Sequence, residues 1–124
     1  MHVLFLCPHG AAKSVIAAAM FNELARRRHL EITASSAGTE PDDEINLVAV
    51  ETLMAQQLPI PDAPQLVTKQ HIKRADIVVS LGCAIDKLPT RPGRWVDWSD
   101  APAASEDIEG LCEMLTNRLE TLLS

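Results

Sequence analysis

Val3-Leu4-Phe5-Leu6-Cys7-Pro8-His9-Gly10-Ala11-Ala12-Lys13-Ser14 is the stretch on which the reading of this 124-residue chain turns. Its first four residues are continuously apolar, the pattern of a strand buried on both faces of a sheet. Residues 7–13 are mostly small and include a glycine, as a turn requires. Ser14 then opens a run from Val15 to Arg28 of Ala, Met, Leu, Glu and Arg, all good helix formers. The order is strand, tight loop, helix.

Outward from that unit, residues 30–36 alternate in polarity and predict a second strand, ended by Ala37 and Gly38. A polar loop over 39–44 leads to a helix over roughly 45–57. Pro59, Pro61 and Pro64 break any helix, and Thr68 then caps a short helical stretch to about Ala75. Residues 76–81 form the second clear buried strand, which passes into a loop at Gly82 and Cys83. A fourth strand is predicted over 94–98. A last helix is predicted over 105–123, with Ile108, Leu111, Cys112, Leu115, Leu119 and Leu122 on its apolar face. Strands alternating with helices predict an α/β fold, a three-layer α/β/α sandwich around a mainly parallel four-stranded sheet, in one domain over 1–124.

Composition narrows the function. The chain is 47% apolar and 23% charged, with 8 Pro and 5 Gly, which is the make-up of an ordinary globule. No apolar run approaches the roughly 18 residues of a membrane span. The apolar start lacks a basic segment and a small-residue cleavage site, so it reads as a strand retained in the mature chain. A net charge of −6 disfavours nucleic acid and anionic membranes as partners. The one basic cluster, Arg26 to His29, falls where the first helix ends and opposes its dipole. Cys7, Cys83 and Cys112 are an odd number without a secretory signal, which fits a reduced, cytoplasmic setting. No CxxC pair is present, so no metal site is expected.

Ligands of parallel α/β folds bind at the carboxyl ends of the strands. The Cys7 loop, the Gly82-Cys83 turn and the loop from Asp97 to Pro102 all fall there. A cysteine between a buried strand and a helix N-terminus meets successive backbone N–H groups and the positive end of the helix dipole. Both favour a nucleophilic thiolate, and the same groups suit a tetrahedral oxyanion held by Pro8, His9, Gly10, Ala11, Ala12, Lys13 and Ser14. Lys13 adds a full positive charge, and the Ser14 hydroxyl can donate to the sulfur. The plainer alternative makes Cys7 a small core residue at a strand end.

The C-x5-K-S pattern resembles the C-x5-R-S phosphate loop of the low-molecular-weight protein tyrosine phosphatase superfamily. The likeness continues through residues 35–41, Asn46 and its helix, 75–83, and Asp97-Trp98 followed by an Asp and a Pro, nearly the whole chain. Within the superfamily the chain is most similar to the thiol-dependent arsenate reductases, which carry a cysteine at the place of Cys83. The phosphatases usually show tyrosines after their Asp-Pro loop, and this chain has no tyrosine. The resemblance implies that Cys7 attacks arsenate, Lys13 clamps the oxyanion, Asp100 protonates the departing oxygen, and a second thiol, with Cys83 the candidate, releases arsenite. It implies no bound cofactor, and an external thiol or redoxin as donor. Two other readings stay open: a tyrosyl or aryl phosphatase, and a catalytically degraded relative that binds an oxyanion or a partner protein.

Several positions depart from the family pattern. Lys13 replaces an arginine, which keeps the charge and loses the guanidinium fork, a change that can cost about 10²-fold in rate. Gly10 stands for an asparagine. Ala12 stands for a glycine and is strained if that position needs a positive φ. The Asp-Pro pair is here Asp100-Ala101-Pro102, which makes Asp97 a rival acid. Residues 84–89 hold no third cysteine and Cys112 reads as core, so any resolving step falls to Cys83 or an external thiol. His9 either tunes the loop or fills a turn, Asn46 either supports the loop from behind or caps a helix, and Trp95 and Trp98 either wall the pocket or fill the core.

Overall fold

The computed structural model describes residues 1–123. Among them, four parallel strands form one sheet in the order β2-β1-β3-β4, with β1 at His2–Leu6, β2 at Thr33–Ala37, β3 at Ile77–Ser80 and β4 at Trp95–Asp97. Residues 3–6 are 0% exposed, as a strand between two neighbours and two helical layers must be. Alternate side chains serve opposite layers. Val3 and Phe5 pack with Ile16, Phe21 and Leu115, from helices α1 (Lys13–Arg27) and α4 (Ile108–Leu123). Leu4 and Leu6 pack with Val78 and with Ile72 of α3 (Lys69–Arg74). This is the predicted three-layer α/β/α sandwich with a four-stranded parallel sheet.

Three boundaries differ from the sequence reading. The second strand starts at Thr33, because residues 28–30 complete the end of α1: the N–H of Leu30 donates to the Ala25 carbonyl across His29, whose φ is +56°. Helix α2 (Leu47–Ala55) starts after Asn46, whose side-chain oxygen accepts from the N–H of Val48 at 2.9 Å. Helix α4 starts at Ile108, not at 105. Its first turn is held by Asp107, whose carboxylate accepts from the N–H of Gly110 and whose carbonyl accepts from the N–H of Leu111. Thr68 caps α3 as read, in a reciprocal capping box with His71. Arg26 and Arg27 pair with Glu23, and Arg28 with Glu120, so the basic cluster is a neutralised helix end.

The outer edge of β2 is covered. The Asn22 side chain donates to the Ala34 carbonyl at 3.1 Å and accepts from its N–H at 2.7 Å, taking the part of a neighbouring strand. Gln65 covers the Ser36 carbonyl in the same way. Asn22→Ala therefore uncovers two edge groups. We expect it to lower stability by about 1 kcal/mol in urea unfolding, because the freed groups regain water. Among the described residues, no helix is long and apolar enough to cross a membrane.

Candidate active site

The loop over residues 7–13 is fixed from behind by its own carbonyl groups. Those of Pro8, His9 and Ala11 accept from the N–H groups of Glu40 (2.8 Å), Asp42 (3.0 Å) and Asn46 (2.9 Å). Committing the carbonyls to the rear leaves the N–H groups of His9, Ala11, Ala12, Lys13 and Ser14 with no acceptor within the described chain. Five such donors at a helix start make an anion-binding concavity. Gly10 takes the left-handed turn at φ +58°, and its backbone lies against Gly38 so closely that a Cβ on Gly38 would stand 2.6 Å from the Gly10 nitrogen. Ala12 has φ −137°, so the strain expected there is absent.

Cys7 is buried at the end of β1, with its sulfur 3.0 Å from the Ser14 hydroxyl, which donates when the sulfur is a thiolate. Cys7 and Ser14 line or flank a cleft of about 140 Å³ shared with His9, Lys13, Asp42 and Asn46, and walled by Ala103, Ala104 and Ser105. A wider groove of about 550 Å³ lies between α1, β2 and the proline segment. No cysteine lines it, so chemistry rather than size selects the smaller cleft. The Lys13 ammonium donates to the Ala101 carbonyl at 3.5 Å and lies 3.7 Å from where a Cβ on Gly82 would stand. Gly82, at φ +122°, turns the chain at the end of β3, a conformation that favours glycine, and lies beside the lysine.

Cys83 follows on the next strand over. Leu6 and Ser80 are in register and the N–H of Leu81 donates to the Leu6 carbonyl, so the chain leaves β1 and β3 side by side toward Cys7 and Cys83. The Ser80 hydroxyl pins the turn, accepting from the N–H of Cys83 at 2.9 Å and donating to its carbonyl at 2.8 Å. Burial pushes the Cys83 thiol above its ordinary value, the charge of Cys7 adds to the rise, and Thr39 and Lys13 oppose it. The Cys83 sulfur lies 3.9 Å from the Thr39 hydroxyl, among the residues of the α3 side of the sheet.

The two carboxylates read as rival acids are elsewhere. Asp100 is held by both guanidinium nitrogens of Arg118, at 2.8 and 2.5 Å, with its side chain 65% exposed. That pairing pulls its carboxyl below the usual range, whereas a proton donor needs the protonated form within reach. Asp97 accepts from the N–H of Ser99. Neither is among the residues lining the cleft. Asn46 reaches the loop through its main-chain N–H while its side chain caps α2, so both readings of it hold in different atoms. His9 Nδ1 lies 3.3 Å from Asp42 at the exposed rim. Trp98 packs on Phe5 in the core and Trp95 packs on the opposite cluster, so neither walls the cleft. Cys112 is half-buried on α4 beside Gln56, not fully in the core.

Sequence reasoning missed Gly38, Ser80, Asp42 and Arg118. Ser80 did carry a signal, as a lone hydroxyl in an otherwise apolar buried strand that must find partners. The others are defined by distant partners.

A four-stranded parallel α/β sheet with a cysteine at the start of the loop between its first strand and first helix is the arrangement that the comparisons have to match. The model of the low molecular weight phosphotyrosine protein phosphatase family matches residues 2–94, and the chain belongs to that family. It is 26% identical over 83 residues to the protein-arginine-phosphatase of Bacillus subtilis (strain 168), covering 65% of this chain and 55% of that protein. It is similar to the thioredoxin-dependent arsenate reductase of Corynebacterium glutamicum, with 31% identity and a TM-score of 0.80 over 98% of this chain and 59% of the other. The chain therefore spans little more than half the length of either. A low molecular weight protein tyrosine phosphatase from T. tengcongensis shares the fold over 99% of this chain and 97% of its own, with a TM-score of 0.86 and 19% identity.

Proposed function

We propose that this chain is a thiol-dependent oxyanion enzyme of the arsenate-reductase type, with Cys7 as nucleophile, Lys13 as the oxyanion clamp and Cys83 as the resolving thiol. The observation that carries this reading is the placement of Cys83 just past the end of β3, the strand that pairs with β1 in register up to the residue before Cys7. The hydrolytic steps of a phosphatase do not call on a second thiol. The small cleft, with alanines and a serine for its wall, also suits a free tetrahedral oxyanion better than an aryl ring.

In this reading the loop N–H groups and Lys13 bind arsenate, and the Cys7 thiolate attacks arsenic. A sulfur–arsenic bond forms, and one arsenate hydroxyl leaves as water after taking a proton from solvent. The Cys83 thiolate then attacks the Cys7 sulfur, having lost its proton to solvent. A disulfide forms, the sulfur–arsenic bond breaks with its electron pair left on arsenic, and As(V) leaves as As(III) arsenite. Two protein thiols supply both electrons, so no bound cofactor enters. An external thiol or redoxin restores them. Disulfide formation needs the sulfurs about 2 Å apart, so Cys83 has to swing off Thr39 in this step.

The test is a single turnover of fully reduced protein with arsenate, with Cys83→Ser alongside. The reading expects Cys83→Ser to lose arsenite release in the absence of added thiol and to regain it with a small thiol. No arsenite from either protein in either arm, beside Cys7-dependent hydrolysis of an aryl phosphate that Cys83→Ser retains, favours the phosphatase reading, in which only Cys7 and the loop are needed. The pH dependence follows from the burial of Cys83. Its pKa is raised above the ordinary 9.0, so its thiolate is scarce at neutral pH and grows about tenfold per pH unit. The rate of disulfide formation should climb throughout pH 7 to about 9 without levelling, measured by rapid acid quench.

A further inference from the structure

Two features that the reaction above leaves unused meet beside the loop that follows β4: Asp100 of that loop, which is not among the residues lining the cleft, and Arg118 of α4, which holds it. Arg118 grips Asp100 with two nitrogens, and its guanidinium carbon stacks 5.7 Å from the centroid of Trp98, whose ring is buried on Phe5. The next residue, Ala101, is buried and offers its carbonyl to the Lys13 ammonium. Two residues further on, the same loop becomes the wall of the cleft at Ala103, Ala104 and Ser105.

We propose that Asp100 and Arg118 are a positioning pair: by fixing the loop to α4 they set the Ala101 carbonyl, and through it the Lys13 ammonium, at the mouth of the oxyanion loop. This rests on the reading of Lys13 as the oxyanion clamp. A lysine carries its charge on a flexible stem and lacks the fork that would orient an arginine by itself, so a second group has to place it. An exposed ion pair contributes little to stability, but a bidentate pair stacked on a buried ring is ordered enough to define where a loop lies. Asp100 thereby acts through Lys13 rather than on the reacting atoms.

The experiment is calorimetric titration with inorganic phosphate of the reduced full chain, comparing wild type with Asp100→Asn, Arg118→Gln, their combination, and the exchange of Asp100→Arg with Arg118→Asp. Each single change should weaken phosphate binding about fivefold, the combination no more than either, and the exchange should recover most of the loss. In a Lys13→Met background, Asp100→Asn should have no further effect, a result that a merely structural role of the pair does not produce. Two results overturn the pair while leaving the oxyanion loop intact. One is a harmless Arg118→Gln beside a damaging Asp100→Asn that the exchange fails to rescue, which shows that Asp100 acts without Arg118. The other is an Asp100→Asn loss that adds in full to that of Lys13→Met. Absence of phosphate binding by the wild-type protein overturns the clamp reading and the pair together.

Discussion

Serine in place of Cys7 is expected to abolish arsenate turnover while leaving oxyanion binding in place. In the proposed reaction the attacking atom is the sulfur, and a hydroxyl in its position is a far weaker nucleophile with no base beside it, since the neighbour at 3.0 Å is the Ser14 hydroxyl. Removing a covalent nucleophile lowers kcat by about 10⁴-fold or more. The loop donors belong to the backbone of residues 9–14, and their carbonyls stay committed to Glu40, Asp42 and Asn46 whatever stands at position 7. Phosphate affinity measured by calorimetry should therefore survive the substitution. The split between lost turnover and retained binding is the result to seek, and turnover that persists in Cys7→Ser places the chemistry elsewhere.

The largest effect on stability is expected at Gly38. An added Cβ would meet the Gly10 nitrogen at 2.6 Å, the Pro8 carbonyl oxygen at 2.8 Å and the Cys7 carbonyl oxygen at 2.9 Å. All three are backbone, so no rotamer change relieves the contact. Gly38 cannot retreat either, because its N–H donates to the Gln65 carbonyl and its carbonyl accepts from the N–H of Val67. The anion loop itself has to move. We expect Gly38→Ala to cost about 3 kcal/mol and to lower the melting temperature by roughly 10 °C. Oxyanion affinity should fall with it. Gly93→Ala, with nothing within 4 Å of the added atom, is the control and should be close to neutral. Equal melting temperatures for the two variants would refute the close-packed loop.

The two glycines explain what the sequence disclosed and what it did not. The pattern of buried strand, small-residue loop and Ala-rich helix was legible because each part depends on local chemistry: apolar continuity in residues 3–6, a turn at Gly10, helix formers after Ser14. The fold follows from three such units and the family resemblance. Gly38 reads locally as a strand end, and only its contact with Gly10 reveals why nothing larger fits. Ala12 shows the reverse error. A missing glycine suggested strain, yet the positive φ belongs to Gly10, so alanine at 12 is unconstrained in that respect.

Asp100 is the clearest case of a pairing that the sequence did not disclose. The resemblance offered it as an acid although Ala101 separates it from Pro102, whereas its partner here, Arg118, lies 18 residues away on α4, and Asp100 is not among the residues lining the cleft. No spacing rule announces such a pairing. Asn46 was ambiguous for a different reason, since its side chain and its main chain serve separate partners and a one-letter code cannot distinguish them. Cys83 drew attention as a cysteine at a strand end and became the candidate second thiol through the family resemblance, whereas the Ser80 hydroxyl that holds its turn was overlooked inside an apolar strand.

Mass spectrometry of the fully reduced protein after incubation with arsenate, with and without a small thiol, tests the central claim most directly. The reading predicts an arsenate-dependent loss of two hydrogens, mapped by peptide analysis to a disulfide between Cys7 and Cys83, and replaced in Cys83→Ser by a mixed disulfide of Cys7 with the added thiol. No arsenate-dependent change in mass in either arm, from protein that still binds phosphate, contradicts it and leaves an oxyanion-binding member of the family without reductase chemistry.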